Sequence, residues 1–338
     1  MITNKISEKF YFFKNCIPVK GASRGIIYDL QREDFDYIPL SLIEMLENYD
    51  GKTIADIINE YGSENKDTIM EYFNFLHEKE YIFFSDLPKE QFPSYNQSFE
   101  RPYNISNLIL DISSETYKSI DSIYNQIEIL GCEAILFRFF DINITSEYLL
   151  NILEKFNDSS VRTIEIIIPA NFNVDLEAIT HEYGKISKVI IYSSAKKSLK
   201  VLTTHVLVVE LEDALIESSK NIIDLRNFII CMKLFMESKN YNNFYYKKVY
   251  IDGIGQIRNA PELSTSFGNI QDIQLAEILI NKDFKMFWDV KKDDIRSCKD
   301  CEYRYMCFDS RKLTYNNTEK IWEAEGTCPY NPYTNEWN

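Results

Sequence analysis

Glycine and proline are scarce in this chain, 10 and 9 among 338 residues. So few chain breakers exclude a collagen-like or low-complexity sequence and leave little room for flexible linkers. No apolar run reaches the roughly 18 residues that a membrane-spanning helix needs. The first 20 residues, MITNKISEKFYFFKNCIPVK, contain no apolar core of a signal peptide. A cytoplasmic protein without a membrane partner is expected. Positive charge is in the minority: 37 Lys and Arg stand against 52 Asp and Glu, a net charge of −15. Nucleic-acid binding draws on cations that displace counterions from phosphates, so no nucleic-acid partner is expected. The same balance disfavours anionic membranes and favours a neutral or cationic partner. Histidine occurs three times, as His77, His181 and His205, with no H-x3-H or H-E-x-x-H spacing for a metal. There is no P-loop and no G-x-S-x-G. GIGQIR at 253–258 lacks the third glycine of a dinucleotide loop and opens no helix.

What is present is a hydrophobic fraction of 45% and a charged fraction of 26%, ordinary for a globular chain. The length suggests two or three domains at roughly 150 residues each. Residues 10–30 read as short strands (FYFF, CIPVKG, GIIYDL) punctuated by Gly21 and Gly25. Helical patterns follow Pro39 and Thr53, the second stopping at Gly62, and a third covers 66–79. YIFF at 81–84 closes a winged-helix-like unit over residues 1–85. Residues 86–104 hold three prolines without periodicity and read as a linker. From 105 to 245, apolar runs at 107–112, 134–140, 163–170, 188–193 and 206–211 alternate with helical stretches at 119–130, 146–156 and 174–183, with a further helix over 222–238. Near-continuous Ile, Leu and Val strands covered by helices indicate a parallel α/β sheet. Five such strands are too few for an eight-stranded barrel, so a partial (β/α) barrel or an open sheet is expected. Residues 246–338 form a last, irregular domain, with a hairpin at 248–257 and a helix over 273–287.

Seven cysteines occur, and four of them, Cys298, Cys301, Cys307 and Cys328, fall in that last domain. The odd total and the single cluster argue against a disulfide framework. Cys16, Cys132 and Cys231 lie in apolar segments and read as small buried hydrophobes. The spacing C-x2-C-x5-C-x20-C supplies four thiolates for one metal centre. Lys299 and Arg304 are cations close in sequence that would favour thiolate. Zinc and iron–sulfur both accept this set; a zinc ribbon usually shows two CxxC knuckles and here there is one, which favours iron–sulfur. Asp111, at a strand end, is the one acid placed like a barrel active-site residue, with capping as its plainer role.

IDGIGQIRNAPE, SFGNIQDIQLAEIL and CKDCEYRYMC together resemble a SPASM domain, the cluster-binding extension of radical-SAM peptide-modifying enzymes. With FFKNCIPVKGASRGIIYDLQR and IPLSLIEMLENYDGKTIADI near the start, the chain resembles the grasp-with-spasm system SPASM domain peptide maturases over most of its length. The resemblance implies a PqqD-like winged-helix module that recognises a precursor peptide, a radical-SAM-like body and a SPASM-like tail. Two departures stand out. A second cluster would need cysteines where this chain has Ser310 and Asn259-Ala260-Pro261. Cys298, Cys301, Cys307 and Cys328 therefore remain as one complete site for a single four-iron, four-sulfur (4Fe-4S) cluster, with zinc as the alternative. The C-x3-C-x2-C of the radical-SAM loop occurs nowhere in the chain; the loop after NLILDI reads Ser113, Ser114, Glu115, Thr116. This argues against radical-SAM catalysis, and no S-adenosylmethionine is expected.

In such recognition modules a peptide adds a strand beside the third helix. Here that groove would lie between residues 25–30 and the 66–79 helix, with Ile26, Tyr28, Phe73 and Leu76 as contacts. The expected function is that of an accessory maturase for a ribosomally made peptide, with an ATP-grasp ligase as partner and catalytic residues unassigned. Two rivals are a SAM-independent iron–sulfur redox enzyme or electron conduit acting on a peptide, and a peptide-binding scaffold with a structural four-cysteine zinc site.

Overall fold

The computed structural model describes residues 2–92, 98–141, 143–203, 205–212 and 223–338. Part of the expected linker (93–97) and the first residue of the expected 222–238 helix lie outside the described residues.

The N-terminal strands are β1 (Phe10–Phe12), β2 (Cys16–Lys20), β3 (Gly25–Asp29) and β4 (Asp34–Ile38). Helices α1 (Leu40–Tyr49), α2 (Ile54–Tyr61) and α3 (Lys66–Glu78) follow, and then β5 (Ile82–Phe84). Strands β2, β3 and β4 form an antiparallel sheet with β3 in the centre, and β5 pairs with β1 in a separate ribbon. Strand β4 was not foreseen, because its sequence, DFDYI, offers no apolar run. Its alternation sends Asp36 toward Lys79 and Tyr81 while Phe35 and Tyr37 pack against Tyr303. One side of β3, through Ile27, joins a core of Phe10, Ile43, Leu46, Ile57, Phe73 and Leu76.

Thr53 caps α2 reciprocally: its hydroxyl accepts from the Asp56 amide and the Asp56 carboxylate accepts from the Thr53 amide. The Thr53 amide and hydroxyl, both donating to it, hold the Asp56 carboxyl below its ordinary range. Thr53→Ala is expected to cost about 1 kcal/mol, read as a lower urea midpoint at unchanged slope.

The large sheet is built by β6 (Ile105–Ile112), α4 (Ser114–Lys118), α5 (Ile120–Leu130), β7 (Cys132–Phe139), α6 (Ser146–Asn157), β8 (Thr163–Pro169), α7 (Leu176–Glu182) and β9 (Ile186–Tyr192). Next come β10 (Ser198–Leu202), β11 (Val206–Glu210), α8 (Met232–Asn240), β12 (Lys248–Ile251) and β13 (Ile257–Arg258). Among the described residues the order is β10-β11-β9-β8-β7-β6-β12-β13, eight strands with two free ends. It is parallel except where β10 and β13 pair antiparallel at the margins. The sheet is thus mixed and open, and the fold is α/β. Strand β12 pairs in parallel with β6, so the sheet runs across the boundary placed at residue 245. That boundary followed the change in sequence character, whereas strand pairing follows backbone hydrogen bonding at long range. The Gly253–Gly255 turn joins β12 to β13 as expected of a hairpin, with Gly255 at φ +82°, a conformation glycine adopts without strain.

Alternate side chains decide the two faces of this sheet. Leu108, Leu110, Ile135, Phe137, Ile164 and Ile166 form the apolar side, covered by Ile123 and Ile127 of α5 and Leu149, Leu153 and Phe156 of α6. The opposite face is polar and is described below.

The remaining chain carries α9 (Leu275–Ile280), β14 (Leu313–Asn316), β15 (Ile321–Ala324), β16 (Tyr330–Asn331) and β17 (Glu336–Trp337). Helix α9 is much shorter than the 273–287 helix expected. Among the described residues, no helix is long and apolar enough to cross a membrane.

Candidate metal centre and an adjoining chamber

The segment from Ile295 to Cys307 is a run of tight turns. The Cys298 amide donates to Ile295, the Cys301 amide to Cys298 and the Cys307 amide to Tyr303. These turns fold the C-x2-C and C-x5-C spacings back on themselves. Cys328 arrives from the loop after β15, and all four cysteines line one small enclosed pocket with Lys292, Asp309 and Arg311. The space between them is about 20 Å³, room for roughly one water molecule. Among the described residues, no three His, Cys, Asp or Glu side chains are drawn together as ligands of a metal ion. All four cysteines are free of disulfides.

The electrostatics of the pocket are divided. Burial pushes the Cys298 and Cys301 thiols up, and pushes Cys307 up to about 12. Lys292, whose side chain is 1% exposed, pulls Cys298 and Cys307 the other way, and Arg311 does so for Cys298. Asp309 is tied to Arg311 at 2.6 Å and faces Lys292 at 4.0 Å, so it is engaged within the wall of the pocket. The nearby cations expected from sequence were Lys299 and Arg304. The cations that act on the thiols are instead Lys292 and Arg311, while Arg304 turns to Asp293 and to the Lys20 carbonyl. The donor set, four thiols with a buried lysine and a partly buried arginine against them, fits a group that takes thiolate ligands.

The cysteine loop is fastened to the N-terminal sheet. Glu302, fully buried between Cys301 and Tyr303, accepts from Arg24 at 2.8 Å and from the Tyr330 hydroxyl. The Tyr28 hydroxyl donates to the Glu302 carbonyl at 3.0 Å, and Arg24 donates to the Tyr303 hydroxyl at 2.8 Å. Ile26 and Tyr28 pack with Phe235, Tyr303, Tyr305 and Met306 in a core of their own.

This placement corrects the expected peptide groove. Ile26, Tyr28, Phe73 and Leu76 are all fully buried. Ile26 and Tyr28 face the cysteine loop, whereas Phe73 and Leu76 lie in the separate core under α3. Strand β3 is central, flanked by β2 and β4, and its backbone offers no open edge to an added strand. The four residues form no common groove. A surface cavity of about 600 Å³ lies elsewhere in the same unit, lined by Lys5, Phe13, Arg32, His77, Phe83 and Phe84, beside β5.

Against the polar face of the large sheet lies a second cavity, of about 620 Å³. Strand register sets its floor in rows. Lys248, Asn107 and Ala134 are neighbours in one row, and Ile109, Leu136, Glu165 and Lys188 in the next. Asp111 and Arg138 form a third. Arg138 donates to Asp111 at 2.5 and 2.8 Å, and the Tyr250 hydroxyl donates to Asp111 at 2.7 Å. Burial pushes the Asp111 carboxyl up against the pull of Arg138. Asp111, singled out from its strand end, is thus part of a closed ion-pair network. Asp111→Asn is expected to destabilise by about 3–5 kcal/mol, since it strands a buried guanidinium; chemical denaturation measures it. The rest of this face was missed from sequence. The available signal was the polar residues of one alternation phase, Asn107 and Asp111, Arg138, Glu165 and Lys188, within strands read as apolar.

The chamber and the thiol pocket adjoin. Phe228 lines both, and the Asn243 side chain, in the chamber wall, donates to the Cys307 carbonyl at 3.1 Å. Ser113 and Thr116 form the capping box that starts α4, with the Ser113 hydroxyl bound to the Gly253 carbonyl at 2.5 Å.

Fold and sites together define an α/β protein with a large, mostly parallel sheet and a buried four-cysteine pocket at its flank. No protein-family model and no curated protein matches the chain. A solved structure, Streptococcus suis SuiB bound to S-adenosylmethionine, matches with 10% identity and a TM-score of 0.32, covering 88% of this chain and 94% of that one. So loose a likeness assigns neither fold nor chemistry here. The expectation that no S-adenosylmethionine is used is corrected on this one finding: the matched structure is one bound to S-adenosylmethionine.

Proposed function

We propose that this chain is an accessory maturation protein for a ribosomally made peptide, carrying one 4Fe-4S cluster on Cys298, Cys301, Cys307 and Cys328. The observation behind the reading is that four cysteines from two separate segments line one pocket, with a buried lysine against them. A cluster held by four thiolates supplies one-electron transfer or a structural staple. The residues of this chain keep water out, offset thiolate charge through Lys292 and Arg311, and fix the loop to β3 through Glu302. The sequence resemblance supports a precursor peptide as ligand and an ATP-grasp ligase as partner.

For the peptide, the cavity beside β5 replaces the buried groove. Its aromatic walls, Phe13, Phe83 and Phe84, sit beside a two-stranded ribbon to which an extended chain can add. Peptides selected from a random display library against the full-length protein are expected to lose about tenfold or more in affinity on Phe83→Arg. Undiminished binding would place the peptide elsewhere. The metal reading is tested by iron and sulfide analysis with an absorption spectrum at about 400 nm on anaerobically purified protein. Near-stoichiometric zinc without sulfide overturns the cluster and leaves a structural zinc site.

A further inference from the structure

The chamber on the polar face of the sheet has groups left over. Lys248 stands on β12, and its ammonium lies 3.2 Å from the Phe244 ring centroid. Among the described residues it makes no ion pair. Burial draws its amine down to about 8, opposed by Glu262 and Glu237. Glu262 is also in the wall, and one of its carboxylate oxygens, Oε2, is buried without a hydrogen-bond partner among the described residues. The same holds for Oδ1 of Asn243. The orientation of that amide is fixed, because its nitrogen donates to the Ser238 hydroxyl at 2.9 Å and to the Cys307 carbonyl. Turning it over would set its oxygen against the Cys307 carbonyl oxygen.

A single protein does not leave such groups idle without cost: buried polar atoms without partners cost free energy. One cation and two unpartnered acceptors, all on residues that line one cavity, are complementary to a ligand with an anion at one end and N–H donors close by. The other charges of the wall narrow the choice. Arg138 is consumed by Asp111, and Lys188 has the opposite charge of Glu165 beside it in the register of the neighbouring strand. The lining therefore has no surplus of positive charge for a phosphate. At about 620 Å³, the cavity is of the size that holds small organic ligands.

We propose that this chamber binds an α-amino carboxylate, its carboxylate on Lys248 and its ammonium or amide N–H on Glu262 and Asn243. A free amino acid and the end of a short peptide share this chemistry. The inference does not depend on what the four cysteines hold, nor on where a precursor peptide docks.

The test is calorimetric titration of the full-length, metal-replete protein with L-phenylalanine, its carboxamide, its N-acetyl derivative and the dipeptide Ala-Phe. L-Phenylalanine or Ala-Phe is expected to bind, and the one that binds more tightly identifies the source. The carboxamide is expected to bind about tenfold to a hundredfold more weakly, having lost the charged contact to Lys248. Lys248→Met should weaken L-phenylalanine by a similar factor while leaving the carboxamide unchanged. Glu262→Gln should weaken L-phenylalanine more than the N-acetyl derivative, which keeps an N–H donor but carries no positive charge on its nitrogen. If either variant fails to fold, the ligand series on the unaltered protein still decides. Equal affinity for acid, carboxamide and N-acetyl derivative overturns the proposal. So does the absence of binding by both L-phenylalanine and the dipeptide at millimolar concentration.

Discussion

Under the proposed cluster reading, a chain with both Cys298 and Cys301 changed to serine is expected to lose iron and sulfide together, and to melt about 10 °C or more below the unaltered protein. The size of the effect comes from the poverty of the tail. Its strands are two or four residues long, and of its Leu, Ile and Val side chains after residue 289 three are buried, Val290, Ile295 and Leu313. A segment that buries so little needs a staple. Metal binding to a cysteine set contributes on the order of 10 kcal/mol in small metal-dependent domains, and the proposed centre would lend part of that to the loop. A chelator that strips the centre should reproduce the shift in the unaltered protein and should add nothing to the double variant. Unchanged metal content in the double variant would remove these cysteines from the centre. An unchanged melting point with metal lost would mean that the tail stands on its aromatic packing alone.

Arg24→Met is expected to destabilise by about 3 kcal/mol and to loosen the N-terminal unit from the cysteine loop. Glu302 has no exposed side-chain surface, and Arg24 is its only cationic partner among the described residues. Removing the guanidinium leaves a buried carboxylate held by the Tyr330 hydroxyl alone, the situation in which one half of a buried pair costs most. Arg24 also stacks over Tyr37 at 3.8 Å and donates to Tyr303, so some packing goes with the charge. Adding Glu302→Gln should recover part of the loss, because the uncompensated charge is then gone. Amide hydrogen exchange would localise the loosening to β3, β4 and residues 300–306. A variant as stable as the parent, with unaltered exchange there, would show that the contact contributes nothing.

Much of the architecture was legible because its signals are local. Ile, Leu and Val runs fixed five parallel strands to within a few residues, and 3.6-residue periodicity fixed α1, α3, α5 and α6. Thr53 and Gly62 marked the ends of α2 through backbone chemistry confined to a few residues. Strand β4 escaped because alternation of acids with aromatics resembles a loop until one face has something to pack on. Strand β10, with two exposed apolar residues (Leu199 and Val201) among its five, escaped because an edge strand buries too little to leave a pattern.

The sequence alone determined that four thiols stand at a spacing able to grip one centre, and that the body is α/β, since both follow from residue type and short-range order. Only the tertiary structure decided that Lys292 and Arg311 face those thiols, that β3 is an interior strand whose Ile26 and Tyr28 serve the cysteine loop, and that the polar places of β6, β7, β8, β9 and β12 share one cavity. Contacts such as Tyr28 with Glu302 join residues 274 apart. Which strand lies beside which, and which face is then covered, depends on free energy gained across the whole chain rather than within any window of it.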